Sequence, residues 1–313
     1  MTASLKNQNE HPLIGQGAIL LCAILWSTSG LFIKLIDWHP MTIFGIRSLI
    51  AALFMLCVRF FYTASLRRAK PGEGRQSKKS KKIPLWAGAF AYSMTMLTFV
   101  IANKNTTAAN AIVLQYSAPV WAAILGWLLI KEKPYWEHWI ALLAIFGGFG
   151  LFFRDSFGSA AFLGDGLAFL SGIFFGAHSV IMRMQKDANP ADSMILAHVV
   201  SFIISIPFLF LYPPDFSTST TISMLYMGII QIGCASLLYS YGIKKITAIQ
   251  TMLTATIEPL LSPVWVLLVT GERPAFFALI GGSIILISVL FTMIIGNQRL
   301  NNMQNHKKPV KYD

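Results

Sequence analysis

Glu258 is the residue whose type and position demand most of this chain. It lies about twelve residues into an apolar stretch of about 24, so at ~1.5 Å per residue it falls near the middle of a helix long enough to cross a bilayer. A carboxylate at that depth costs several kcal/mol unless it is paired, protonated or hydrated. Pro259 and Pro263 follow it and remove backbone donors, which bends a helix where a cavity would need room. Two roles fit equally. Glu258 carries a proton or meets a cationic group, or it is structural, capping freed backbone or pairing with a neighbouring helix.

Other polar and aromatic residues recur inside apolar stretches: Trp26, Tyr92, Asn110, Gln115, Tyr116, Trp121, His178, Gln231, Tyr239 and Gln250. A polar side chain in a bilayer faces protein or water, so with Glu258 the set outlines a candidate substrate-binding path. Each member serves equally well as glue between helices. His178 has no neighbour at metal-ligand spacing and reads as a hydrogen-bonded core histidine; no metal and no cofactor is expected. Lys34 and Arg47, near helix ends, are expected to snorkel to the interface, with a gate or a contact to an anionic substrate as the alternative. Glu132 and Glu272 are expected to fix loop geometry with Lys133 and Arg273. Trp86, Trp127, Trp136 and Trp139 lie near helix ends and fit an aromatic belt. Cys22, Cys57 and Cys234 lie in apolar stretches and read as small hydrophobes.

Enzyme signatures are missing. There is no H-E-x-x-H, G-x-S-x-G or Walker A pattern, and intramembrane catalysis needs clustered ionisable groups where this chain offers one at mid-depth. A channel, the other competing reading, would need a ring of like groups or a filter loop.

The elements that must position these residues follow from composition. Apolar residues make up 55% of the 313 and charged residues 12%, against about 25% charged in soluble domains. One soluble core cannot hide so much apolar surface. Segments of about 20 apolar residues occur at 14–36, 40–62, 84–103, 106–130 and 136–153, then at 163–184, 192–211, 222–242, 247–270 and 275–296. The expected fold is therefore an all-α polytopic membrane protein with ten spanning helices. Pro40, Pro84, Pro190 and Pro274 stand at or near helix starts, where a missing N–H costs little.

Net charge is +12, but its placement argues against nucleic acid as a partner: eight of the 25 Lys and Arg lie between Arg67 and Lys82. With a cytoplasmic N-terminus, inside segments hold 18 basic residues and outside segments hold three, Lys104, Arg154 and Arg273. That asymmetry places both termini in the cytoplasm. The first apolar stretch exceeds a signal-peptide core and reads as a retained helix.

The chain also repeats itself. At an offset of 140, 11 of the 56 positions from Leu85 to Ile140 are identical, among them Gly88 with Gly228, Lys104 with Lys244, Pro119 with Pro259 and Glu132 with Glu272. At an offset of 149, Gly15 and Gly17 match Gly164 and Gly166, and Lys34 meets Arg183. A duplicated five-helix unit has an odd number of spans, so its copies enter the membrane with opposite orientation. The basic loop after the second helix and the Lys- and Arg-free stretch 212–221 agree with this. Inverted repeats are a mark of secondary transporters, because two related halves can exchange inward-open and outward-open shapes.

Trp26 through Lys34, Pro40 with Arg47, Gly164-Asp165-Gly166, and the paired segments Thr107–Pro134 and Thr247–Pro274 together resemble the drug/metabolite transporter superfamily in its ten-helix EamA type. The resemblance implies four helices from each half around a central substrate cavity, with the fifth peripheral. It also implies transport of amino acids, amines, other metabolites or toxic compounds without nucleotide hydrolysis, often outward. The expected organisation is a tail at 1–13, a first repeat at 14–153 with a basic cytoplasmic loop at 63–83, a second repeat at 154–296, and a basic tail at 297–313. The expected partners are a small-molecule substrate and the bilayer of the cell (cytoplasmic) membrane, with a homodimer left open.

Overall fold

The computed structural model describes residues 12–69, 81–106, 108–153 and 162–270, together with scattered positions between 280 and 299. The first half contains α1 (Pro12–Trp26), α2 (Ser29–Leu35), α3 (Pro40–Ala69), α4 (Lys82–Asn105), α5 (Ala108–Gln115), α6 (Ala118–Ile130) and α7 (Trp136–Phe153). The second contains α8 (Phe162–Met184), α9 (Ala191–Leu211), α10 (Thr218–Leu225), a π-helical stretch (Tyr226–Cys234), α11 (Ala235–Gly242), α12 (Ala248–Ala255) and α13 (Ile257–Thr270). No strand occurs among the described residues.

Among the described residues, seven spans are long and apolar enough to cross a membrane: 12–35, 40–65, 82–105, 162–184, 191–211, 218–242 and 248–269. Of the expected last span, 275–296, only scattered helical positions are described, and Glu272, Arg273 and Pro274 lie outside the described residues. So do Arg154, residues 70–80 of the basic segment 63–83 and most of both tails; α3 runs on through Ala69, well past the expected end at 62.

Several expected spans are interrupted, and the sequence explains each interruption. Between α1 and α2 the Ser27 hydroxyl donates to the Ile24 carbonyl (2.6 Å) and the Thr28 hydroxyl to Leu25 (2.9 Å), a back-bonding that bends helices. The expected helix 106–130 breaks at Tyr116-Ser117, ahead of Pro119; the expected helix 247–270 breaks at Thr256, ahead of Pro259. A proline within a helix cannot bond the carbonyl four residues back and clashes with it, which leaves the carbonyls of Gln115 and Ala255 without helical donors. The span expected to begin at 222 begins at Thr218, capped by Ser217, and widens into the π-helical stretch. Such bulges gather at functional sites.

Helix α4 packs along α8 and α9, α3 along α9 and the π-helical stretch, and α1 along α11 and α12. α5 and α6 lie on α8. Glycines set the closest approaches. A Cβ on Gly176 would lie 2.6 Å from the Ala118 carbonyl oxygen, and one on Gly228 would lie 2.5 Å from Ile50. The four tryptophans expected in the belt, Trp86, Trp127, Trp136 and Trp139, are all exposed.

Candidate functional site

A cavity of about 50 Å³ opens at the centre of the helices. The α1–α2 break supplies Trp26 and Ser29, α3 supplies Arg47, and the α5 end supplies Gln115. From the other half come Phe175 of α8, Gln231 and Ile232 of the π-helical stretch, and Glu258 of α13. One face of α4 completes the wall with Tyr92, Thr95, Met96 and Phe99. Their spacing of three and four residues is the stripe one side of a helix presents.

Glu258 is 4% exposed and meets the phenol of Tyr116. The Tyr116 hydroxyl lies 2.6 Å from Glu258 Oε2 and also 2.6 Å from the Ala255 carbonyl oxygen, which is the carbonyl that Pro259 leaves without a helical donor. Tyr116 thus joins the first half's helix break to the second's.

Arg47 departs from the snorkelling expected of it. It is 2% exposed and turned inward on the cavity, because α3 starts at Pro40 and carries it two turns into the helix. Its Nε has no hydrogen-bond partner among the described residues. Lys34 does stay exposed and at the helix end, donating to the Thr106 carbonyl at 2.8 Å.

The remaining sequence candidates divide. Tyr239 and His178 form a buried layer beside the cavity. The ring of Tyr239 lies 5.5 Å from Trp26 and 5.5 Å from His178, and that of Tyr92 4.7 Å from His178. His178 Nδ1 pairs with the Gly88 carbonyl at 3.1 Å, and no metal-binding cluster occurs among the described residues. Trp121 points elsewhere, edge-on to Phe169 at 6.2 Å. Gln250 closes a capping box at the start of α12, its Oε1 accepting from the Thr247 N–H at 3.1 Å. The side chain of Asn110 lies outside the described residues. Ser29, Thr95, Met96, Phe99, Phe175 and Ile232 line the cavity and were not picked out from sequence; the step of three, four and seven from Tyr92 was the one signal available for the α4 members.

Polar contacts tie helix ends to one another at each end of the bundle. At one end Lys104 donates to the Ile36 carbonyl (2.7 Å) and the Thr106 hydroxyl to Asp165 (2.7 Å). At the other, Glu132 pairs with Arg183 (2.9 Å) and accepts from the Ala248 N–H (3.2 Å); its partner is Arg183 rather than the expected Lys133. Arg183 also donates to the carbonyls of Ile243 (3.0 Å) and Lys244 (2.7 Å), and Arg59 pairs with Asp192.

Against this geometry, the EamA-like transporter family matches the sequence twice, over residues 13–154 and 162–294. The chain belongs to the EamA-like transporter family. An uncharacterized transporter of Archaeoglobus fulgidus is 25% identical over 297 residues, 91% of this chain and 98% of that protein. The uncharacterized transporter YwfM of Bacillus subtilis is 25% identical over 203 residues, 62% of this chain and 67% of that protein. Solute carrier family 35 member G1 of Mus musculus is 27% identical over 145 residues, 45% of this chain and 37% of that protein. One solved crystal structure is similar with a TM-score of 0.72 at 17% identity, covering 91% of this chain and 98% of that one; at that identity the likeness speaks for the fold alone. This EamA-like chain is a multi-pass membrane transporter, not an enzyme, and its partners are the lipid bilayer and a small-molecule substrate.

Proposed function

We propose that this transporter is a secondary carrier that moves a small organic metabolite, such as an amino acid or amine, across the cytoplasmic membrane by alternating access. Its ten spans form two inverted five-helix repeats, 14–153 and 154–296, with both termini cytoplasmic and tails at 1–13 and 297–313. The observation that carries this reading is the cavity, lined by residues from both family copies and holding a buried carboxylate. At about 50 Å³ it has room for a few water molecules, well below the ~300 Å³ at which small-molecule sites begin. A metabolite can enter only if the helices part at one end or the other.

Equivalent residues at the two ends support the inverted repeat. Lys104 and Lys244, matched at an offset of 140, each donate to a backbone carbonyl, Ile36 at 2.7 Å and Ala188 at 3.1 Å. Lys34 and Arg183, matched at an offset of 149, likewise reach carbonyls at 2.8 Å and 2.7 Å.

Coupling is assigned to Glu258. The Tyr116 phenol has a single proton and two oxygen neighbours at 2.6 Å. The Ala255 carbonyl can only accept, so the contact with Glu258 is complete when the carboxyl brings a proton of its own. Exchange of that proton for substrate would drive export. In proteoliposomes, wild-type protein should show saturable counterflow and, under an imposed pH gradient, net accumulation. Glu258→Gln should keep counterflow and lose accumulation. Wild-type rate and pH dependence in Glu258→Gln would remove the coupling role; a non-saturating ohmic current would replace the carrier with a channel.

A further inference from the structure

We propose that Arg47 is the anchor for a carboxylate on the transported substrate, an inference that rests on the central cavity being the transport site. Arg47 is 2% exposed and lines that cavity. A buried guanidinium without a counter-charge is among the most costly groups a protein can hold, so a partner is expected. Five described carboxylates are engaged elsewhere: Glu258 with Tyr116, Glu132 with Arg183, Asp192 with Arg59, Glu137 with Arg299, and Asp165 with Thr106. Arg47 Nε has no hydrogen-bond partner among the described residues. The Gln231 amide oxygen, in a residue lining the same cavity, is likewise without one.

The chemistry of the lining selects the kind of anion. A guanidinium presents a planar fork that matches a carboxylate with two parallel hydrogen bonds. Among the described residues Arg47 is the one basic side chain lining the cavity, and Glu258 lines it too. One cation beside a carboxyl group suits a single negative charge and opposes a phosphate dianion. The unpartnered Gln231 oxygen accepts, which suits an ammonium or amide N–H on the same molecule. Trp26, Phe99 and Phe175 offer aromatic walls for an apolar remainder.

The test uses the full chain in lipid nanodiscs, with ligand-induced thermal stabilisation read for a fixed panel. The panel holds the common L-amino acids, the amine left by decarboxylating each, simple monocarboxylates, and inorganic phosphate. Wild-type protein should bind one or more acids about 10- to 100-fold more tightly than the matched amine, as loss of one charge-assisted pair implies. Arg47→Gln should erase that ratio. Arg47→Lys should keep the preference with affinity reduced about tenfold, since the charge stays and the fork is lost. Equal binding of amines and acids by wild type overturns the anchor whether or not either variant folds. So does an undiminished ratio in Arg47→Gln, a preference for phosphate, or no binding by any member of the panel. Acid-selective binding without counterflow would leave the anchor standing and overturn the transport reading instead; counterflow of amines alone would do the reverse.

Discussion

Pro119 and Pro259 occupy matched positions of the two copies, and each leaves a carbonyl, Gln115 or Ala255, without its helical donor. The copies treat that carbonyl differently. At the first break, α8 comes in close: a Cβ on Gly172 would sit 2.6 Å from the Gln115 carbonyl oxygen, and one on Gly176 would sit 2.6 Å from that of Ala118. At the second break, the Ala255 carbonyl receives the phenol of Tyr116 at 2.6 Å, while α1, the helix matched to α8, is itself broken. There the Trp265 indole N–H donates to Ser27 at 2.7 Å, and Ser27 is the position matched to Gly176 at an offset of 149. One break is set by bare backbone packing and the other by side-chain hydrogen bonds. Duplication supplied the geometry twice, and divergence put the ionisable group on one copy alone: Glu258 stands where the first copy has Ala118.

The packed break should be the less forgiving. Gly172→Leu drives a side chain into the Gln115 carbonyl and Ser117 and should cost about 3 kcal/mol or more, read as loss of folded protein in detergent thermal unfolding. A near-neutral result would mean that α8 does not lie so close. Next in size, Tyr116→Phe removes the hydroxyl from both Ala255 and Glu258 and should cost about 1–3 kcal/mol, with reduced proton-driven accumulation. Combining it with Pro259→Ala sharpens the comparison, because an alanine amide can again bond the Ala255 carbonyl. The double-mutant cycle should then show a coupling of about 0.5–1 kcal/mol, and strict additivity would deny that the phenol answers the proline. Smallest of all, Gly17→Ala meets no atom within 4 Å and should stay within about 0.5 kcal/mol of wild type.

Which parts could be read from sequence follows the same division. Glu258 stood out because a carboxylate in an apolar run has no cheap explanation, and Pro259 and Pro263 after it announced a bend there. The breaks themselves could not be placed from hydropathy, since α5 with α6 reads as one apolar span. Arg47 was ambiguous because a long side chain near a helix start can leave the membrane; only the packing of α3 against α9 and the π-helical stretch turns it inward. Thr95, Met96, Phe99 and Phe175 look like any residue of a helix that is apolar on all sides. Gln250 could have been recognised as a cap from the Thr247-to-Gln250 spacing that opens α12. Trp121, an aromatic in a span, carries no signal that separates a cavity wall from a contact with Phe169.

Alternating access to the central cavity is tested most directly by labelling it from each side. In a background with Cys22, Cys57 and Cys234 replaced by alanine, a single cysteine at Met96, on the cavity wall of α4, is exposed to a membrane-impermeant thiol reagent in oriented vesicles. A carrier predicts labelling from both faces in separate experiments, with substrate altering the two rates. Labelling confined to one face under every substrate and pH condition would contradict it.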